Sequence, residues 1–145
     1  MAQPRGNRRK RAWVLANVVG GVALIAVLFI DVTTVNQLYL PVNKPIVVTL
    51  KSKDVIHSFG VPEFRVKQDA IPGLTIPIWF VANVTTAEMR SRTGKPEFQY
   101  EIACAQLCGL GHAKMRGFVT VLPADEFQKW LDDKIKEQNA PDPFK

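Results

Sequence analysis

Residues 13–30, WVLANVVGGVALIAVLFI, form an uncharged run of 18 residues whose only strongly polar member is Asn17. At ~1.5 Å rise per residue, a helix over this run reaches roughly 27 Å, about the thickness of a hydrocarbon core. This run constrains the chain most, because it divides the sequence between two compartments. Arg5, Arg8, Arg9, Lys10 and Arg11 precede it with no acidic residue among them, and Asp31 follows it. That asymmetry predicts a cytoplasmic N-terminus and an external location for everything from Asp31 onward. A cleaved signal peptide is the alternative. The run is long for a signal core, FIDVTTV offers no small-x-small cleavage site, and no cysteine follows for lipid attachment. The expected organisation is a basic tail over 1–12, a transmembrane helix over 13–30 and a connection over 31–37.

The basic cluster also accounts for the charge. The formal net charge is +6, and without those five residues about +1. It is a membrane flank and not the footprint of a nucleic-acid reader, and no aromatic-basic motif follows it. The external part reads as strand. In LYLPVNKPIVVTLKS, Leu38 and Leu40 alternate around Tyr39, and Ile46, Val47, Val48 and Leu50 favour extended chain. Pro41, Pro45 and Pro77 suit sheet edges. DVIHSF (54–59) reads as a strand end, AIPGL (70–74) as a turn and TIPIWFVANV (75–84) as a further strand. EFQYEIA (97–103) and GFVTVL (117–122) alternate again and bracket a loop. After Pro123, Phe127, Trp130, Leu131 and Ile135 recur at helical spacing over 123–139, with Asp125 and Glu126 early and Lys134 and Lys136 late. Residues 140–145 form a tail. The external domain is thus mainly β with one late helix, a small core that a bound metal would help stabilise.

The bracketed loop, CAQLCGLGHAKMRG, contains both cysteines of the chain, Cys104 and Cys108, together with His112 and Met115. Thiolate, imidazole and thioether favour copper over hard cations. A single-copper blue site takes two His, one Cys and a weak axial Met, which leaves one thiol over. Two thiolates can instead bridge two coppers, with His57 and His112 as terminal ligands. Met115 and a backbone carbonyl between the cysteines then complete the set. Sharing one unpaired electron across two bridged metals reduces the distortion at each, which favours fast electron transfer. Gly109 and Gly111 let the backbone curl tightly. Three other readings compete: a Cys104–Cys108 disulfide, which leaves the His and Met spacing unexplained; a Cys2His2 zinc site, which leaves Met115 idle; and a copper-delivery protein. C-x-x-C-H haem attachment is absent, and no nucleophile elbow, phosphate loop or acid–base pair stands in a motif.

At DVIHSFGVP (54–62), DAIPG (69–73) and CAQLCGLGHAKMRG (104–117) the sequence resembles subunit II of the haem–copper cytochrome oxidases. The resemblance covers roughly residues 38–122. It implies a cupredoxin-like Greek-key sandwich over 38–122 carrying a dinuclear copper A centre, two coppers per chain. Its ligands would be His57, Cys104, Cys108, His112, Met115 and the backbone carbonyl of Gln106. It implies a subunit that accepts electrons from cytochrome c and passes them to haem in subunit I, where oxygen is reduced to water. The resemblance places the domain on the outer side of a bacterial inner membrane. Many members carry Glu at the position of Gln106, where the carboxylate also binds magnesium; Gln lacks that charge. Members usually have two membrane helices, and an aromatic segment ahead of the LxLPVN strand with a tryptophan through which electrons enter. Here only 31–37 intervenes, and Trp79 and Trp130 fall elsewhere. One or two N-terminal strands of the sandwich are therefore expected to be missing: either another chain supplies them, or the sheet is trimmed and a partner covers its edge. The reading from a different class is a membrane-tethered copper-binding or copper-delivery protein with no electron-transfer role.

Overall fold

The computed structural model describes residues 32–138; the expected basic tail, the 13–30 span and the 140–145 tail lie outside the described residues. Among the described residues no helix is long and apolar enough to cross a membrane. In chain order the elements are β1 (Gln37–Pro41), β2 (Pro45–Leu50), β3 (His57–Val61), β4 (Val66–Ala70), β5 (Ile76–Val81), α1 (Thr86–Thr93), β6 (Tyr100–Cys104), β7 (Arg116–Leu122) and α2 (Ala124–Gln138).

Two layers face each other. One sheet has five strands in the order β1-β7-β6-β3-β4, and among the described residues the other consists of β2 and β5. The first and last strands lie side by side and parallel, with Gln37 opposite Phe118 and Pro41 opposite Leu122. The expected extended stretch after Gln37 divides at Val42–Lys44. There Asn43 takes φ 58, a left-handed value that Asn tolerates better than most residues. The corner is tied to both layers: Val42 N–H donates to Leu122 O at 2.8 Å and Asn43 N–H to Ala82 O at 2.8 Å. The alternation seen in the sequence becomes the core, where Leu40, Phe80, Ala82, Tyr100, Val119 and Val121 interlock between the layers.

Two elements were not expected. β4 is short and polar (VKQDA), so its alternation is weak; it exists because it pairs with β3 after a tight turn in which Arg65 takes φ 54. α1 begins at Thr85, whose hydroxyl accepts the Glu88 N–H at 3.1 Å, and ends at Gly94 with φ 67. It is pinned to the sheet by Thr86, 3% exposed, whose hydroxyl accepts the Val121 N–H at 2.9 Å. The late helix α2 forms as expected. It buries Phe127 and stacks Trp130 on Tyr39 of β1, with ring centroids 4.3 Å apart, which covers the outer edge of the larger sheet.

Candidate metal centre

β3 and β6 run antiparallel with Phe59 opposite Cys104 and Gly60 opposite Ala103. This register sets His57, the first residue of β3, beside Cys104, the last residue of β6. Gly60 permits the approach: a Cβ there would lie 3.1 Å from the Ala103 carbonyl oxygen. The loop after Cys104 is closed at its base, where Cys104 N–H donates to Met115 O at 3.2 Å and Ala105 N–H to Ser58 O at 3.3 Å. Inside the loop, His112 N–H reaches Gly109 O at 3.1 Å, and a short 3-10 turn, His112–Lys114, returns the chain to β7. Of the two glycines expected to curl the loop, Gly109 takes a positive φ of 129 and Gly111 an ordinary φ of −86.

All six residues singled out in the sequence converge on this end of the sandwich. The two sulfurs lie 3.7 Å apart. Cys104 Sγ faces His57 Nδ1 at 3.9 Å, and Cys108 Sγ faces His112 Nδ1 at 3.6 Å. Met115 Sδ is 3.3 Å from Cys108 Sγ, and the Gln106 carbonyl oxygen is 3.2 Å from Cys104 Sγ. His57, Cys104 and Cys108 keep their donor atoms within 4.8 Å of one another. The arrangement is a pair of sulfurs flanked by one imidazole, and one weaker donor, at each end. Two sulfurs bound at ~2.3 Å to a common metal, at a near-tetrahedral angle, stand a little under 4 Å apart, so the spacing fits shared metal ions. Both thiols are free and half-buried.

Asp54 also belongs to the site, and the sequence reading passed over it. Its Oδ1 is 2.8 Å from His57 Nε2, which leaves Nδ1 directed at Cys104. The available signal was the spacing, an acid three residues before the histidine. The carboxylate raises the His57 pKa, helped by Cys104 and opposed by burial. The same hydrogen bond lowers that of Asp54. The thiols split. Burial pushes Cys104 up, but backbone hydrogen bonds at Gln106 and Ser58, with the imidazoles of His57 and His112, outweigh it and bring it down to about 6. Burial and the neighbouring Cys104 push Cys108 up. Near neutral pH these opposite shifts favour one thiolate beside one thiol in the metal-free pair, and a bound metal would replace the remaining proton.

A mainly β, cupredoxin-like domain with two thiols and imidazole gathered at one end defines a candidate metal-binding domain, whose soft donors suit copper more than hard cations. The family model for the periplasmic domain of cytochrome c oxidase subunit II matches residues 18–122. The chain belongs to that family. It is 38% identical over 105 residues to the alternative cytochrome c oxidase subunit 2 of Bradyrhizobium diazoefficiens, covering 72% of this chain and 34% of the relative. This chain therefore spans about a third of that curated relative's length. Among solved structures, it matches the periplasmic domain of subunit II of cytochrome oxidase from Bradyrhizobium japonicum. That match has 36% identity and a TM-score of 0.58, over 70% of this chain and 65% of the other. It also matches subunit II of cytochrome c oxidase in a mixed disulfide intermediate with a thioredoxin-like protein, at 35% identity and a TM-score of 0.55, over 70% and 63% of the two chains.

Proposed function

We propose that this chain is the electron-accepting subunit II of a membrane-bound terminal oxidase. In this reading His57, Cys104, Cys108, His112, Met115 and the Gln106 carbonyl hold a pair of copper ions. The observation that carries the reading is the symmetric donor set: two sulfurs 3.7 Å apart, each facing one imidazole Nδ1. A disulfide would need neither imidazole, and a single Cys2His2 zinc site would leave the Met115 thioether and the Gln106 carbonyl without a role. When bound, the copper pair supplies one-electron acceptance and release with little change in geometry.

The chain's own residues do the rest. Cys104 and Cys108 contribute negative charge from between the two histidines. Asp54 holds His57 by Nε2 and so fixes which nitrogen faces the sulfurs, the usual role of a residue behind a metal-bound histidine. The closed loop base sets the spacing before any metal arrives. Leu107 and Leu110, 83% and 110% exposed, surround the site with apolar surface suited to brief contact with an electron donor. Cytochrome c is the donor and the haem-bearing subunit I the acceptor in this reading, and residues 13–30 anchor the domain outside the membrane. Because the two thiols are close enough to oxidise to each other, copper loading requires a reductant. A thioredoxin-like protein, as in the relative's mixed disulfide, fits that need.

Metal analysis and EPR of the purified full chain test the reading. Two coppers per chain with a mixed-valence signal shared by both ions are expected. One EPR-silent Cu(I), readily removed by a chelator, would point to copper delivery. Failure to take up stoichiometric copper after the two thiols have been reduced would end the respiratory reading.

A further inference from the structure

The polar connection expected over 31–37 is tied to the domain at several points where the structure describes it. Thr33 is held by both its backbone groups: its N–H donates to Gln138 Oε1 at 3.2 Å, and its carbonyl accepts from Gln138 Nε2 at 2.8 Å. The Thr34 hydroxyl donates to the Gln37 carbonyl. Asn36 takes φ 56, a left-handed value that turns the chain into β1. Its carbonyl accepts the Phe118 N–H at 2.9 Å, and it lies so close to β7 that a Cβ on Gly117 would stand 3.2 Å from that oxygen. An amide side chain paired with both backbone groups of one residue acts like a rung of a β-ladder, and fixes direction as well as distance.

Gln138 reaches Thr33 because α2 returns along the domain. β7 leaves the metal end at Arg116, and α2 brings the chain back, packed by buried Phe127 and by the stack of Trp130 on Tyr39. The 15 residues of α2 rise ~22 Å, close to the ~23 Å of the seven-residue β7, so its last turn stands at the metal end. β1 begins at the same end: Asn36 and Gln37 line one cleft with Cys104 and Met115. The two bonds to Thr33 are exposed, and they hold because the helix and the strand they join are already packed together.

In the membrane-anchored reading, the metal end lies close to the end of the 13–30 run, since the chain from Ile30 to Gln37 reaches at most about 25 Å. Its tilt then depends on whether the connection can swing. We infer that Gln138 is a positioning residue: its grip on Thr33 ties the connection to α2, and the helix thereby braces the metal end at a fixed angle to the membrane anchor. The inference rests on the anchored, electron-accepting reading above. Passing an electron to an acceptor fixed in the membrane needs a held geometry, which a swinging domain would supply only part of the time. Capture from a diffusing donor does not depend on that angle.

The test compares the full chain in bilayers with Gln138→Ala, Gln138→Glu and a variant carrying two glycines between Val32 and Thr33. Gln138→Ala is expected to keep copper content and the frozen-solution EPR line shape, and to speed amide exchange at Thr33 roughly tenfold. In aligned bilayers its EPR signal should lose most of its dependence on field angle. In the oxidase assembly, electron passage from the copper pair to the membrane acceptor should slow by about threefold or more, with acceptance from the donor unchanged. Gln138→Glu keeps the acceptor for the Thr33 N–H and should fall between. The glycine insertion should leave Thr33 exchange slow and still flatten the angular dependence. Unchanged Thr33 exchange in Gln138→Ala, or an angular dependence equal to that of the parent chain, would overturn the inference. The readings fail separately. A chain without paired copper ends the electron-transfer assignment; the brace is then scored on Thr33 exchange and on tryptophan linear dichroism of the same bilayers, neither of which needs metal. A chain that does not enter bilayers overturns the brace and the anchor together, and leaves the copper site to metal analysis.

Discussion

Cys104 and Cys108 are the same side chain four positions apart, yet their surroundings drive them in opposite directions. Cys104 falls to about 6 and Cys108 rises. In the reduced, metal-free chain at pH 7, alkylation is expected to modify Cys104 well before Cys108. Mass mapping of the first adduct checks this, and first modification at Cys108 would contradict it. Cys108→Ser removes one of the two sulfurs and the one nearest Met115; copper content is expected to fall from two per chain to one or none, read by metal analysis. Asp54→Asn removes the negative charge behind His57 and lets an amide N–H compete for the same position. A loss of about 10- to 100-fold in copper affinity is expected, since such partners orient the ring. The pair also carries a pH signature in the metal-free chain. The lowered Asp54 contributes stability above the ordinary carboxylate range and loses it as pH falls. The raised His57 contributes stability below about 6.5 and loses it as pH rises through its elevated value. The contribution is therefore greatest between about pH 4 and 6.5. Asp54→Asn should lower Tm slightly in that window and by less near pH 9, where the imidazole is neutral; the exposure of the pair keeps the effect small.

At the scale of elements, α1 shows what a short helix needs. Its capping signal is present in the sequence: Thr85 with Glu88 three residues on, and Gly94 after the end. The signal went unread because the helix has no apolar stripe; it is held by the buried Thr86 hydroxyl, by Met89 against the core and by Arg90 Nε–H donating to Phe98 O at 2.9 Å. Thr86→Val keeps the shape but leaves the Val121 N–H without its acceptor. It should cost about 2 kcal/mol in urea unfolding, and Thr85→Ala about 1 kcal/mol. Phe127→Ala, at the one buried position of α2, should cost about 3 kcal/mol and loosen the Trp130–Tyr39 stack, which tryptophan fluorescence would follow. β4 had no comparable local mark. VKQDA is a strand because β3 lies beside it, and pairing of that kind depends on a neighbour and not on composition.

At the scale of the molecule, metal and fold are linked. In the proposed reading, a copper pair held only by the folded arrangement would stabilise it by mass action, so chelation should lower Tm and speed amide exchange in residues 105–115. The interlocked core around Val119 and Val121, 0% and 1% exposed, should stay protected, because it is packed without help from the loop. The apolar rim belongs to this scale too. Leu110→Asp is expected to slow electron acceptance from cytochrome c in stopped-flow measurements while copper content and EPR signal stay unchanged.

By itself, the sequence determined the soft donors of the loop, the alternation that makes β6 and β7 strands, the amphipathic stripe of α2 and the uncharged run at 13–30. Each is written within a few consecutive residues, where propensity and periodicity act. Only the tertiary structure decided that β1 lies parallel to β7, that β2 pairs with β5 in the second layer, and that Asp54 stands behind His57. It also brought His57 to Cys104 across 47 positions of chain. Those outcomes depend on which apolar faces bury each other and on the register in which strands pair, and no local stretch of residues encodes the partner it will meet.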